Sequence, residues 1–213
     1  MRPYAFPLLM LVIVSIVPTK AAGQDPPPRI GPYAIDGRAT VPLFRTDPLL
    51  AGSRGLLVTE MPGPGLGLEG GAHVYLFTWK AVTVGIGGQV TLARSHAAPT
   101  EESGLRSVTE RFTSVTPQLS LNFGDADGFS YLSAGIGTAR WSLVPDGSPP
   151  AVPDLTRLRT VNYGGGARWF IKPRLAFTLD VRFHQLDPGP AGLAFPGSPR
   201  TTFMIIGAGA SVK

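Results

Sequence analysis

The sequence has no cysteine and only three histidines. Without a thiol there is no disulfide framework, no thiolate nucleophile and no lipid-bearing cysteine anchor. Three histidines leave little material for metal coordination. Charge is scarce as well. Asp, Glu, Lys and Arg make up 15% of the 213 residues, against about a quarter in an ordinary soluble domain. The formal net charge is +5, but Lys and Arg are scattered, so a nucleic-acid partner has no support in a basic patch. Beyond the N-terminal segment no apolar run approaches the ~18 residues of a transmembrane helix. What the chain has in quantity is glycine (27) and proline (22), which suit closely spaced strands and turns. The length allows one all-β domain of ordinary size, or at most two small ones.

The N-terminus reads "MRPYAFPLLMLVIVSIVPTKAAGQD". A positive charge at Arg2, an apolar stretch from Ala5 to Val17 and small residues at Ala21, Ala22 and Gly23 predict a cleaved secretory signal peptide over residues 1–23. Its loss removes Arg2 and Lys20 and leaves a charge of roughly +3. Residues 24–30, "QDPPPRI", predict an extended proline-rich linker. A single domain is expected over 31–213.

Within that domain eight segments alternate with period two, the signature of strands. They are Tyr33–Leu43, Leu66–Phe77, Val82–Leu92, Val108–Phe123, Phe129–Trp141, Thr160–Phe170, Leu175–Phe183 and Thr202–Val212. The fifth is ambiguous, because Leu132, Ala134 and Ile136 compete with an opposite face of Tyr131, small residues and Trp141. Connections "TWKA", "GDADG" and "IKPR" are tight turns, whereas residues 45–65, 94–107, 142–159 and 187–200 form long ones. Short and long alternate, so a chain running up and down in hairpins collects every tight turn at one end. That asymmetry is the layout of a transmembrane β-barrel with short periplasmic turns and long extracellular loops.

The two faces assign the solvents. The apolar faces run about 9 to 11 residues, enough for a tilted strand to cross a bilayer, and predict Val82, Val84, Leu119, Leu121, Phe177, Leu179 and Val181 to face lipid. The polar faces carry few charges of mixed sign. Asp36, Arg38, Glu69, Arg168, Asp180 and Arg182 are expected to form a neutralising network that plugs a narrow lumen. Aromatic residues Tyr75, Phe77, Trp79, Phe123, Phe129 and Trp169 fall near the tight turns, with Trp141 and Phe183 toward the long connections, as two interfacial girdles would. The alternative is a soluble exported barrel of lipocalin type, apolar inside and wet outside.

Candidate chemistry is sparse. "GPGLGLEGG" and "GIGGQV" lie in strand-period sequence with no following helix, so they make no phosphate cradle. His73 and His184 fall on inward phases and His96 in a long connection, which gives no metal set. Asp180, His184 and Asp187 cluster toward one end of the seventh segment, but no serine lies at strand spacing from His184. The long connections and their edges balance Arg45, Arg54, Arg94, Arg106, Arg157, Arg159 and Arg200 against Asp47, Glu60, Glu101, Glu102, Asp146, Asp154 and Asp187.

The stretches "PQLSLNFGDADGFSYLSAGIGTARW" and "VNYGGGARWF", with the signal peptide and eight alternating segments, resemble the small OmpA-like outer-membrane β-barrel domain proteins of bacteria. The resemblance covers roughly Arg29 to Lys213. It implies an all-β, eight-stranded antiparallel up-and-down transmembrane barrel in the bacterial outer membrane, reached by signal-dependent export. A non-enzymatic role in envelope integrity or surface interaction is expected, without a cofactor, as a monomer. The implied partners are outer-membrane lipids; the balanced loop charges read first as a solvated surface, with individual arginines near the rim available to lipopolysaccharide phosphates. An outer-membrane lipid-modifying enzyme of the lipid A acyl-hydrolase type is the functional alternative.

Overall fold

The computed structural model describes residues 30–98, 103–191 and 197–213. The signal segment 1–23 and linker residues 24–29 lie outside the described residues. Eight strands form in order: β1 (Tyr33–Leu43), β2 (Leu66–Trp79), β3 (Val82–Ala97), β4 (Val108–Gly124), β5 (Gly128–Pro145), β6 (Leu158–Lys172), β7 (Leu175–Leu186) and β8 (Thr201–Val212). Every neighbour is antiparallel, and β8 pairs back with β1 from Ile35↔Val212 to Leu43↔Met204, so the sheet closes without an edge. Among the described residues no helix is long and apolar enough to cross a membrane.

The registers fix the width. Crossing from Arg38 along paired residues leads to Glu69, Thr91, Ser114, Ala139 and Leu158. Continued through β7 and β8, the path meets β1 again about ten residues beyond its start. For eight strands that stagger tilts each strand by about 40° and leaves an interior that side chains fill. The tight turns hold the residues their geometry needs. Lys80 in "TWKA" takes φ 54°, and Gly124, entering "GDADG", takes φ 136°. Bulges at Tyr75/Phe77 and Phe170/Lys172 bend β2 and β6 at that same end.

Strand positions agree with the sequence reading, but lengths do not. β3 continues past Leu92 to Ala97 and β5 past Trp141 to Pro145. Antiparallel pairing carries on there, with Ser95 opposite Glu110 and Val108 opposite Pro145. The apolar stripe that marks a bilayer crossing does not mark where pairing stops, so its length underestimates such strands. His96, expected in a long connection, lies near the end of β3 with Nδ1 3.1 Å from Thr109 Oγ1.

Above the strands, the first long connection folds into a short helix α1 (Pro48–Gly52), capped by Asp47, whose Oδ1 accepts from Leu49 N at 2.8 Å. It carries buried Leu50 and Ala51. The third long connection forms α2 (Val152–Leu155).

Candidate functional site

Side chains fill the barrel interior in three layers. At the tight-turn end Tyr75 meets Phe129 edge-on at 5.9 Å, and Phe129 lies 6.0 Å from Phe170. Lys213 closes the outside of this floor, with Nζ donating to the Ala126 carbonyl at 2.5 Å and lying 3.7 Å from the Phe170 ring centre.

The middle layer is charged. Arg168 grips Asp36 with Nε at 2.9 Å and Nη2 at 2.5 Å, and Ser211 donates to the same carboxylate. The Arg168 guanidinium lies 4.1 Å from the Tyr131 ring centre. Arg38 pairs with Glu69, its directly opposed neighbour in the register, at 2.6 Å. Its other amino group donates to Tyr131 Oη at 2.6 Å, and Tyr131 donates onward to Asp180 at 2.5 Å. Arg182 holds Asp180 through Nε (3.0 Å) and Nη2 (2.9 Å), and reaches Asn162 at 2.8 Å and Ser133 at 3.0 Å. Gln89 donates to Glu69, and Gln118 bridges Gln89 and Asn162.

All six sequence-predicted lumen residues thus lie in one connected layer, each buried, three arginines against three acids. Bidentate pairs of this kind can offset the desolvation of buried charge. Sequence reasoning missed the partners that join them: Tyr131, Ser211, Gln89, Gln118 and Asn162. Their signal was inward phase on a strand with a polar tip. Tyr131 needs room, and "VNYGGGARWF" supplies it: a Cβ on Gly166 would come within 2.7 Å of the Tyr131 hydroxyl.

The upper layer is apolar. Phe44, Leu50, Leu56, Met61, Phe112, Trp141, Leu143, Leu186, Phe203 and Ile205 pack into one buried cluster. Phe112 meets Phe203 edge-on at 4.7 Å. Trp141, expected at the interfacial girdle, instead points inward at 3% exposure and donates Nε1–H to the buried Glu110 at 2.8 Å. The ambiguous fifth segment resolves with Leu132 and Ile136 outward and Phe129, Tyr131 and Trp141 inward. Tyr75 also faces in, so the girdle at the tight-turn end is Phe77, Trp79, Phe123, Trp169 and Phe177.

Ion pairs pin the lid. Arg54 holds Asp154 at 2.6 Å, both buried, and Asp154 also accepts from Leu143 N. Burial pushes the Asp154 carboxyl above its ordinary range against the pull of Arg54. Arg106 clamps Glu60 with Nε at 3.0 Å and Nη2 at 2.9 Å. Those bonds, with one from Leu57 N, hold Glu60 down at about 2. The sequence presented these four residues as loop charges in balance; the fold makes them two clasps. Asp187 and Arg200 pair at 3.3 Å in the open.

Among the described residues no constellation for covalent catalysis forms around the histidines. His184 is fully buried, stacked on Phe203 and 3.4 Å from Asn162, and hydrogen bonds to no serine. His73 lies 4.0 Å from Asp36. Among the described residues no group of three His, Asp or Glu could hold a metal ion.

The outer wall is the reverse of the interior. Leu119, Leu121, Phe177, Leu179 and Val181 are exposed, and Val82 and Val84 are half-buried on the same outward phase. Ile35, Leu68, Val74, Ile86, Val90, Leu132, Ile136 and Ile206 extend the belt around the barrel. Apolar area this continuous is not left to water.

No protein-family model matches the sequence, and no curated protein does. Among solved structures, Neisserial surface protein A superposes with a TM-score of 0.54 at 14% identity, over 85% of this chain and 96% of that one. OprG of Pseudomonas aeruginosa (TM-score 0.47, 9% identity, 87% and 97% covered) and Ail of Yersinia pestis (0.46, 14%, 84% and 96%) are further matches. Identities this low speak of fold alone. Charged at mid-lumen, apolar on its outer wall and closed by eight antiparallel strands, the chain has the fold of the small β-barrels of the bacterial outer membrane.

Proposed function

We propose that the protein is an integral, non-enzymatic outer-membrane barrel whose plugged lumen conducts nothing and whose long connections face the cell exterior. Its role is structural or one of surface interaction. The observation that carries this reading is the filled interior: the three layers occupy the lumen from floor to lid, and the lid is clasped by Arg54–Asp154 and Arg106–Glu60. The belt residues Val82, Val84, Leu119, Leu121, Phe177, Leu179 and Val181 contact acyl chains, and the six charged lumen residues serve as the plug. A lipid-modifying activity lacks support, because His184 is enclosed between Phe112, Phe203 and Asn162 rather than placed on the lipid-facing wall.

The test is electrical. Purified protein in planar bilayers should give no steady conductance, and protease added to intact cells should cut within the long connections while sparing "GDADG" and "IKPR". Large steady currents from the wild type would refute the plug.

A further inference from the structure

Beyond the apolar belt the barrel wall continues as three paired strands, and their outer face brings together three atoms that metal ions seek. β3 runs on to Ala97, β4 begins at Val108 and β5 ends at Pro145. His96 on β3 is directly opposite Thr109 on β4, and Thr109 is opposite Val144 on β5. Asp146 follows β5 at once, and its N–H donates to the Ser107 carbonyl at 2.9 Å, which carries the ladder one step further. His96 and Thr109 share the outward phase of Arg94 and Arg111, so their side chains leave the sheet on the side away from the buried Glu110 and Phe112.

His96 Nδ1 lies 3.1 Å from Thr109 Oγ1 and 3.8 Å from Asp146 Oδ2. The Thr109 hydroxyl donates to the other carboxylate oxygen, Oδ1, at 3.0 Å. Ligand atoms ~2.1 Å from an ion stand about 3.0 to 3.4 Å apart at octahedral to tetrahedral angles. The Nδ1 to Oγ1 separation already fits, and the Nδ1 to Oδ2 separation closes with a small turn of Asp146, whose side chain is 49% exposed. An ion placed there touches the ring nitrogen, the hydroxyl oxygen and Oδ2 while the hydroxyl keeps its proton on Oδ1. The imidazole has only to carry its proton on Nε2. Thr109 thus supplies the third donor that the His, Asp and Glu side chains lack.

The surroundings select the ion. Asp146 brings a single carboxylate, and Arg94 and Arg111 are the next outward residues on β3 and β4. Hard cations need several oxygens and are repelled by such neighbours; a borderline ion that bonds to imidazole suffers less. The composition removes rivals. There is no cysteine, and His73 and His184 are buried in the lumen, whereas the His96 side chain is 39% exposed.

We propose that His96, Thr109 and Asp146 form a binding site for a first-row transition ion of the Zn²⁺ class, with water in the remaining positions. The ion ties the end of β3 to the start of β4 and to the residue after β5. Lying beyond the belt and outside the lumen, the site is independent of the functional reading above.

The test uses the mature barrel, without an affinity tag, in detergent micelles. Zn²⁺ titrated in competition with a fluorescent chelator should bind at one ion per chain, and an excess of Ca²⁺ or Mg²⁺ should not displace it. His96→Ala should abolish binding. Asp146→Asn and Thr109→Val leave the imidazole in place and should each weaken binding at least about tenfold, whereas Thr109→Ser should keep it. Unchanged affinity in Asp146→Asn and Thr109→Val would reduce the site to a lone surface imidazole and overturn it, as would displacement by Ca²⁺. Should a variant fail to fold, read as loss of the gel-mobility shift of a compact barrel, the wild type decides. Diethyl pyrocarbonate acylates accessible imidazole, and a small excess of Zn²⁺ should protect His96 where Ca²⁺ does not. Acylation of His96 at an undiminished rate with Zn²⁺ present would overturn the site.

Discussion

The lower and upper halves of the same lumen are filled by opposite chemistry. Around Asp36, Arg38, Glu69, Arg168, Asp180 and Arg182 the interior is a closed set of charge-assisted hydrogen bonds. Around Phe112, Trp141 and Phe203 it is a hydrophobic core in which Glu110 is tethered by one indole N–H. The charged half binds strands to one another across the barrel, with Arg168 on β6 holding Asp36 on β1. The apolar half binds the first long connection to the strands. Damage should therefore differ in kind. In the charged half, removing one partner strands a buried charge; in the apolar half, truncation leaves a gap that neighbours partly fill.

The largest expected effect lies in the charged half. Arg182→Ala leaves Asp180 with only Tyr131 and Arg38, and should cost about 3 to 5 kcal/mol of unfolding free energy in lipid. Removing both partners, as Asp180→Asn with Arg182→Leu, should cost less than the single change, because no charge is abandoned. Equilibrium urea titration in vesicles measures both, and a double variant worse than the single would mean that the charge pairing is not what matters there.

Next comes the outer wall, against which both halves can be compared. Val181→Arg places a charge near the hydrocarbon midplane and should cost roughly 2 to 4 kcal/mol, with dependence on bilayer thickness. Thr178→Lys, which adds an unpaired charge opposite Arg168 in the filled lumen, should also be costly, but without dependence on bilayer thickness. A Val181→Arg penalty indifferent to bilayer thickness would argue for a core on that face.

In the apolar half, Trp141→Phe keeps the ring packing but removes the donor to Glu110, at about 1 to 2 kcal/mol. Adding Glu110→Gln should recover part of that loss, since a neutral amide is easier to bury there. No recovery would mean that Trp141 acts by volume alone. Costs in the two halves should add, apart from changes at His184, which touches both Asn162 and Phe112.

The smallest effect is a pH response of the lid clasp. Glu60 is held at about 2, below its unfolded value of 4.5. Its contribution is therefore complete above pH 4.5 and is lost as pH falls through about 2. Arg106 is half exposed, so solvent screening keeps the change under about 1 kcal/mol. Limited proteolysis of the 53–61 segment should be flat from pH 8 to 5 and rise only in stronger acid. A rise between pH 5 and 8 would place control elsewhere.

How far the sequence foretold this divides along the same line. Within the bilayer span a residue's phase on its strand dictates its solvent, so the inward side of all six lumen charges and the outward side of Leu179 and Val181 were legible. Pairings were legible where partners are neighbours, as in Asp180 and Arg182. Arg168 and Asp36, 132 residues apart, meet only because the barrel closes. The lid was not legible. Trp141 lies where strands extend beyond the membrane, and there alternation no longer separates lipid from lumen but open solvent from a folded cap. The Arg54–Asp154 clasp joins two long connections with no shared period.

The central claim is the inversion of the two faces, and the absence of native cysteine makes it directly measurable. Single cysteines at Ala176, Phe177, Thr178, Leu179 and Val181, probed in the vesicle-inserted barrel with a bilayer-soluble maleimide, report which positions touch acyl chains. The account predicts rapid labelling at 177, 179 and 181 and little at 176 and 178. Labelling that failed to alternate, or that favoured 176 and 178, would contradict it.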